Sequence, residues 1–225
     1  FHRHGGAFEG RRLESVDPGG RIAQHLPVER VIGSVAHKGA EVSAPGVVRH
    51  TVTAVDRFPL GEPDGSRSER IEAIAAVLVG AGVAAPVTTD IRTEKWFKLW
   101  GNMTMNPVSA LTGAACDAIL DDELVRAFMA RGMAEAAAIG ARIGCPIEQT
   151  PDARMAVTRQ LGAFKTSMLV DAEQGRALEL DALVGAVREI GDRVGVATPN
   201  IDALHGLARL MDRTHATKGI RRATD

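Results

Sequence analysis

The chain lacks the sequence features of several protein classes. Its net charge is −1 over 225 residues, so no basic surface favours nucleic acid or an acidic membrane as a partner. The longest uncharged run, residues 73–89, is shorter than the roughly 20 residues of a membrane-spanning helix and is broken by glycine and proline. No basic, apolar and small-residue pattern of a signal peptide opens the chain. The sequence therefore predicts no nucleic-acid or membrane partner, and we expect a cytoplasmic protein.

Metal-binding patterns are also missing. Cys116 and Cys145 are isolated from each other, and the seven histidines form no HExxH cluster. We expect both cysteines to be buried thiols in a reducing compartment, and we assign no metal.

One glycine-rich segment matches a dinucleotide-binding turn in spacing alone. Residues 80–85 fit the pattern G-x-G-x-x-A. Such a turn must follow a strand and begin a helix, so that the diphosphate meets the helix N-terminus. Here the preceding run has helical spacing, and Pro86 follows immediately. The sequence therefore predicts no phosphate-binding loop in this segment, and we assign no cofactor-binding residue.

The pattern of the chain changes near residue 88. Residues 31–60 contain short apolar or alternating runs typical of strands, with a turn at 44–46, and residues 69–79 have helical spacing. Beyond residue 88 almost every segment is helical, and a frayed tail is expected at 214–225. The sequence thus predicts an α+β protein with one domain at 1–88 and a helical domain at 89–213. The predicted helices of the second domain cover residues 91–111, 121–143, 178–194 and 199–211, with a weaker one in 151–163.

The strongest functional signal lies between Lys95 and Pro107, where helical spacing coincides with residues that destabilise helices. Lys98, Asn102 and Asn106 follow one another at intervals of four, so a helix places them along one side. A lysine can donate a proton, and two amides can hold an oxygen-rich ligand. A solvated polar face over an aromatic core is the simpler interpretation. The composition favours a functional line instead, because solvent faces usually carry glutamate, lysine and glutamine.

Two downstream residues are further candidates. Glu179 is predicted on the apolar face of a helix from Leu178, where a carboxylate is costly to bury without a partner. It either complements the positive end of that helix or serves a site, with Lys98 or a substrate hydroxyl as its partner. Ser167 lies in a short polar break that is typical of a cap or turn hydroxyl. No Gly-x-Ser-x-Gly elbow surrounds it, which argues against a hydrolase nucleophile.

These residues, in this order, resemble the ketopantoate reductase (2-dehydropantoate 2-reductase) family. The resemblance extends over residues 1–212 and is most specific in the lysine–asparagine helix. The matching motifs are Asp17-Pro18-Gly19-Gly20, Ala44-Pro45-Gly46-Val47-Val48-Arg49-His50, Lys98-x3-Asn102-x3-Asn106-Pro107-x2-Ala110-Leu111, Lys165-Thr166-Ser167-Met168-Leu169-x-Asp171 and Glu179-Leu180-Asp181.

The resemblance implies a Rossmann domain followed by a helical domain similar to the C-terminal fold of 6-phosphogluconate dehydrogenase, with the active site in the cleft between them. It implies the NADPH-dependent reduction of 2-dehydropantoate, a small 2-oxo acid, to pantoate in pantothenate and coenzyme A biosynthesis. Lys98 would then be the general acid. Glu179 would bind the substrate hydroxyl and tune Lys98, and Asn102, Asn106 and Ser167 would hold other substrate oxygens.

The chain departs from the family pattern near its N-terminus. The family's G-x-G-x-x-G loop and a following Asn-Gly motif are not in this sequence, which begins with Phe1. We therefore expect a processed chain or the C-terminal part of a longer reductase, with residues 1–88 as the remnant of its dinucleotide-binding domain. This chain alone is expected to bind NADPH poorly and to turn over negligibly.

Two other functions stay open at this point. The protein could reduce another 2-oxo acid, because motifs do not report the shape of a substrate site. It could also be a non-catalytic helical module for binding or oligomerisation that has lost the cofactor domain. The alanine-rich segment 121–143 fits close helix packing across a homodimer as well as it fits an ordinary core.

Overall fold

The computed structural model describes residues 8–51 and 56–222. The chain divides into two compact units, one made of Phe1–Arg12 and Gly20–Trp96 and the other of Leu13–Gly19 and Phe97–Asp225. A domain boundary at residue 88 rests on sequence texture and stays a prediction. The fold class is α+β, as predicted, with a helical C-terminal part.

The described β-structure lies in the first unit. Its strands are β1 (Gly33–Ser34), β2 (Gly39–Ala44), β3 (Val47–Thr51) and β4 (Leu60–Gly61). β1 pairs with β4, and β2 pairs with β3, both antiparallel. The predicted turn between β2 and β3 is confirmed, and Gly46 adopts φ +76° there, which glycine does without strain. The first unit also contains a short helix that the sequence pattern did not predict, α1 (Arg21–His25).

Two glycines of the small β1–β4 sheet make room for the first residue of the long helix that comes next. Gly33 and Gly61 are paired across the two strands. A Cβ atom at Gly33 would lie 2.8 Å from Cγ1 of Ile91, and a Cβ atom at Gly61 would lie 2.5 Å from Cβ of Ile91. Ile91 is 2% exposed. The absence of both side chains therefore lets this helix begin directly against the sheet.

Helix α2 (Glu69–Gly80) matches its predicted position. The Ser68 side chain accepts a hydrogen bond from the Ile71 backbone N–H and caps the helix. Ile71 and Ala75 pack against Leu60 and other apolar residues in a small core. The segment 83–86 after α2 is not helical. Residues 80–85 therefore follow a helix and do not begin one, whereas a dinucleotide-binding turn follows a strand and begins a helix.

The second unit consists of helices. They are α3 (Ile91–Thr112, from Phe97 onward), α4 (Cys116–Asp121), α5 (Glu123–Arg142), α6 (Pro151–Arg159), α7 (Ser167–Glu173), α8 (Ala186–Val194) and α9 (Pro199–Arg222). The predicted helices are confirmed apart from their ends. Helices α4 and α7 were not predicted, because six or seven residues are too few for a helical period to stand out.

Helix α3 is anchored at its start and along its length. The Asp90 carboxylate accepts a hydrogen bond of 3.1 Å from the Thr93 N–H and caps the helix, for which Thr89 and Asp90 are the two candidates in the sequence. The indole Nε1 of Trp100 donates to the backbone oxygen of Met133 in α5 over 2.7 Å. The helix continues through Pro107, although proline cannot donate the usual backbone hydrogen bond there. The hydrogen bond of Trp100 thus ties α3 to α5.

Two predicted helix ends are wrong. The helix expected from Leu178 begins only at Leu180, and residues 181–185 form a turn of π-helix before α8. The last helix was expected to end near Met211 with a frayed tail after it, but α9 continues to Arg222. No glycine or proline interrupts residues 212–218, so local sequence gives the helix no reason to stop at Met211.

Candidate active site

The predicted polar line lies along α3, and burial increases along it. Lys95 is exposed, Lys98 and Asn102 are partly buried, and Asn106 is only 7% exposed. From Met103 to Ala110 every residue of the helix is buried. A fully solvated polar face, which was the simpler interpretation, is therefore wrong for the second half of this line. The alternative that other parts of the protein partly cover it is confirmed.

Lys98 lies where water is partly excluded. Burial disfavours the charged ammonium and lowers the pKa of Lys98 below its ordinary value of 10.5. A lysine with a lowered pKa is a stronger acid, so it gives up a proton more readily to a developing negative charge. Trp100, two residues further along the helix, is 1% exposed, and its packing holds the backbone that carries Lys98.

Asn106 is the most enclosed member of the line. Within the part of the chain that the structure describes, its side-chain amide makes no hydrogen bond. An amide that is withdrawn from water without a partner costs about 1–3 kcal/mol. The amide atoms of Asn106 still reach solvent, whereas the nearby Thr104 hydroxyl is fully enclosed without a hydrogen-bond partner. Asn106 therefore offers a donor and an acceptor that a small polar ligand can reach.

One apolar cluster connects the three segments that carry the candidate residues. It contains Ala110 of α3, Met168 of α7 and Leu180 at the start of the π-helical turn. Asn106 lies one helical turn before the first of these, while Ser167 and Glu179 directly precede the other two. The cluster thus brings Ser167 and Glu179 to the same end of α3 as Asn106, although they are far away in sequence.

Ser167 is the first residue of α7 and is exposed. The residue before it, Thr166, is the N-cap, and its side chain accepts a hydrogen bond of 3.1 Å from the Leu169 N–H. The cap that was considered for Ser167 is therefore made by Thr166. This leaves the Ser167 hydroxyl outside the capping interaction, at the positive end of a short helix.

Glu179 lies in a different environment from the one predicted. Its side chain is exposed and precedes the helix, whereas the sequence pattern placed it on a buried apolar face. The prediction failed because the helical segment begins only at Leu180, so Glu179 precedes it. Among the described residues, the Glu179 carboxylate makes no ion pair, so the structure does not join it to Lys98. It remains at the start of the helical segment, with its backbone oxygen bonded to the Leu183 N–H over 3.0 Å.

The structure adds Arg154 of α6, which the sequence pattern did not reveal. Its guanidinium carbon lies 5.1 Å from the centroid of the Phe97 ring. A Cβ atom at Gly101 of α3 would lie 3.1 Å from its Nε atom. Arg154 therefore contacts α3 at Phe97 and Gly101, next to Lys98. The sequence shows Arg154 only as the neighbour of Met155 in a weakly amphipathic segment. It gives no sign of a contact with Phe97 and Gly101, which lie in a different helix.

Other candidate chemistry gains no support in the described ranges. Cys116 and Cys145 are buried and free of disulfides, as predicted, and burial raises the pKa of the Cys116 thiol to about 11. Residues 8–51 and 56–222 contain no cluster of three potential metal ligands. No described helix has the length and hydropathy needed to span a membrane.

Comparison with known proteins identifies the family. The family described as "Ketopantoate reductase PanE/ApbA C terminal" matches residues 90–212, more than half of the chain. The chain is 50% identical over 209 residues to a "2-dehydropantoate 2-reductase" of Mesorhizobium japonicum, covering 93% of this chain and 64% of that protein.

Solved structures agree with this match. A putative ketopantoate reductase from Ralstonia solanacearum superposes with a TM-score of 0.89 at 57% identity, covering 94% of this chain and 64% of that one. A D-mandelate dehydrogenase shares the fold with a TM-score of 0.77 at 20% identity, covering 86% of this chain and 64% of that one. The chain thus spans a little under two thirds of the length of these relatives. It belongs to the ketopantoate reductase family, and its residues 90–212 correspond to that family's C-terminal part.

Proposed function

We propose that the protein containing this chain reduces 2-dehydropantoate to pantoate with NADPH, and that Lys98, Asn102 and Asn106 form the centre of its substrate site. The observation that carries the proposal is the line of these three residues on α3, which is partly buried at Lys98 and Asn102 and buried at Asn106. Family membership and the name of the relative from Mesorhizobium japonicum support the choice of substrate.

The glycine pattern that resembles a dinucleotide-binding turn lacks the structure that such a turn requires. The one segment with suitable glycine spacing, residues 80–85, follows a helix and does not begin one. We therefore assign no residue of this chain to the cofactor, whose chemical contribution is a hydride. For the same reason we propose that the 225-residue chain alone binds NADPH weakly and turns over negligibly.

Lys98 supplies the proton in this proposal. Hydride addition to the ketone carbon turns the carbonyl oxygen into an alkoxide, and the ammonium of Lys98 both stabilises that charge and gives a proton to the oxygen. The products are the alcohol and a neutral amine, which regains a proton from solvent. Partial burial strengthens this effect, because charges interact more strongly where water is excluded.

The remaining candidates bind the substrate. Asn102 and Asn106 donate and accept hydrogen bonds without a net charge, which suits the hydroxyl and carbonyl oxygens of a hydroxy 2-oxo acid. Ser167 offers a hydroxyl at the start of α7. Glu179 accepts a hydrogen bond from the substrate hydroxyl in this proposal, and its exposed position leaves the carboxylate available for that contact.

A second candidate is the reduction of a different 2-oxo acid. It is favoured by the shared fold with D-mandelate dehydrogenase, whose ternary structure contains NADH and anilino(oxo)acetate. The test is a comparison of kcat/KM for 2-dehydropantoate and anilino(oxo)acetate with each nicotinamide cofactor, using the complete protein. A clear preference for 2-dehydropantoate with NADPH supports the proposal. A preference for the aromatic acid or for NADH would overturn the corresponding part of it.

A further inference from the structure

The guanidinium of Arg154 is held in place by carbon atoms, without any acidic partner. One face of it covers the Phe97 ring, and its edge faces Gly101, where no side chain intervenes. Phe97 is fixed in turn by Trp100, whose ring centroid lies 5.9 Å away. These contacts order the guanidinium but neutralise none of its charge.

The side chain is also partly desolvated. Burial lowers the pKa of Arg154, and its Nε atom is enclosed without a hydrogen-bond partner. In the described part of the chain, the guanidinium makes no hydrogen bond or ion pair. The terminal nitrogens do not appear among the enclosed unpaired atoms, so they still reach solvent. A buried cation is normally paired, and this arrangement is therefore unusual for a purely structural residue.

Another arginine of the same helix shows the ordinary arrangement. Arg159 is exposed and makes two hydrogen bonds, of 2.7 and 2.9 Å, to the Asp121 carboxylate. The two residues lie in one helix with the same side chain, yet only the half-buried one lacks a carboxylate. The surroundings of Arg154, and not its residue type or its helix, therefore explain why it has no carboxylate partner.

That location borders the proposed substrate site at Lys98. Gly101 lies three residues after Lys98, so the two positions adjoin on the surface of the helix. We propose that the terminal nitrogens of Arg154 bind the carboxylate of the 2-oxo acid substrate, which makes Arg154 a specificity-determining residue for acids. This inference rests on the proposed function, and it identifies the group that recognises the charged end of the substrate.

A carboxylate fits this position better than a phosphate group of a nucleotide. The planar fork of one guanidinium matches the two oxygens of a carboxylate. Phosphate groups are usually cradled by several backbone N–H groups at a helix N-terminus. Arg154 faces the middle of α3, where the backbone N–H groups are used within the helix. We therefore choose the carboxylate, and the phosphate becomes an outcome of the test.

The test compares charged and neutral ligands in the complete protein. The ligands are 2-dehydropantoate with its uncharged lactone, and 2-oxoisovalerate with its methyl ester, and binding is measured by calorimetry. In Arg154→Gln we expect the dissociation constants of both acids to rise at least about tenfold, because a hydrogen bond to a charged group is lost. The neutral ligands should change less than about twofold, and Arg159→Gln is the matched control, with no change for either class.

Three results would overturn the inference. The first is an equal change for acids and neutral ligands, which indicates a merely structural role. The second is no change at all. The third is a loss of NADPH affinity in Arg154→Gln with unchanged acid binding, which would assign the site to a cofactor phosphate. The second acid makes the result independent of the substrate choice, so failure of 2-dehydropantoate alone affects only the proposed function.

A second variant separates packing from binding if Arg154→Gln folds poorly. In Gly101→Ala, the new methyl group presses on the guanidinium, while alanine favours the helix by about 1 kcal/mol over glycine. We expect weaker binding of both acids with an unfolding free energy that does not fall. Unchanged acid binding in this variant, with the methyl group accommodated, would contradict the proposed position of the guanidinium.

Discussion

The indole N–H of Trp100 donates a 2.7 Å hydrogen bond to the backbone oxygen of Met133, whereas the indole N–H of Trp96 is buried without a partner. Both side chains are nearly inaccessible, at 1% and 4% exposure. The two tryptophans of the chain therefore play different parts. Trp100 ties α3 to α5 by a directed bond, and Trp96 contributes by packing alone.

This difference predicts unequal effects of two matched substitutions. Trp100→Phe should lower the free energy of unfolding by about 1 kcal/mol more than Trp96→Phe, because only the first removes a hydrogen bond. Both remove a similar volume, so the cavity contribution is comparable. Urea unfolding followed by circular dichroism measures the difference. Equal losses in the two variants would mean that the bond to Met133 adds nothing.

The buried amide of Asn106 predicts a trade-off between stability and function. Asn106→Leu should leave the free energy of unfolding unchanged or raise it, because it replaces an unpaired buried amide by an apolar group of similar shape. We expect the same variant to lose at least about tenfold in kcat/KM, since its hydrogen bonds to substrate disappear.

Thr104→Val is the control for Asn106. The Thr104 hydroxyl is also buried without a partner, but it lies on another side of α3 and against α5, where a Cβ at Gly132 would be 3.3 Å from its methyl group. It should match Asn106→Leu in stability and keep full activity. Full activity in Asn106→Leu would contradict the assignment of Asn106 to the substrate site.

The adjacent pair Thr166 and Ser167 should separate capping from binding. Thr166→Ala removes the N-cap of α7 and should cost about 1 kcal/mol in unfolding free energy. Ser167→Ala leaves the cap intact, so it should raise KM with little change in stability. Thermal unfolding and steady-state kinetics of both variants test this. A stability loss confined to Ser167→Ala would reverse the assignment.

The lowered pKa of Lys98 predicts a pH dependence with a definite sign. Reduction needs the protonated amine, so kcat/KM should fall as pH rises through the pKa of Lys98, at a value below 10.5. Burial disfavours the charged form in the folded state alone. Below the lowered pKa of Lys98, the charged amine therefore reduces the free energy of unfolding. This free energy rises with pH through the lowered pKa, and the rise is complete above pH 10.5, the ordinary pKa of lysine.

Kinetic and unfolding measurements across this range check both effects. Lys98→Met should remove the rise in stability toward alkaline pH, whereas Lys95→Met, on the exposed side of the same helix, should keep it. A kcat/KM profile that stays flat up to 10.5 would contradict the role of Lys98 as the acid.

The sequence predicts the helices of this fold well where a cap and a long apolar period coincide. α3 has Asp90 as its cap, and α5 has Asp122, whose carboxylate accepts the Val125 N–H over 2.9 Å. Both helices are long enough for their buried faces to repeat several times. Local rules are sufficient for such elements, because neighbouring residues supply the interactions that define their ends.

Local rules fail where a distant contact decides the conformation. Residues 181–185 form a π-helical turn, and a Cβ at Gly185 would lie 3.6 Å from Ser15 and 3.7 Å from His205, which are distant in sequence. The helical segment begins only at Leu180, so the predicted burial of Glu179 was wrong. Arg154 illustrates the same limit, since its contact with Gly101 links two helices that the sequence presents separately. The lysine–asparagine line was recognisable because all of its members belong to one helix.

The central claim is that Lys98 is the proton donor of a 2-oxo acid reductase. The most direct measurement is the rate of 2-dehydropantoate-dependent NADPH oxidation by the complete protein, compared for Lys98→Ala and the control Lys95→Ala. We predict a loss of about 100-fold or more in kcat for Lys98→Ala without a loss of unfolding free energy, and no loss of kcat for Lys95→Ala. Undiminished turnover in Lys98→Ala, or equal losses in both variants, would contradict the account.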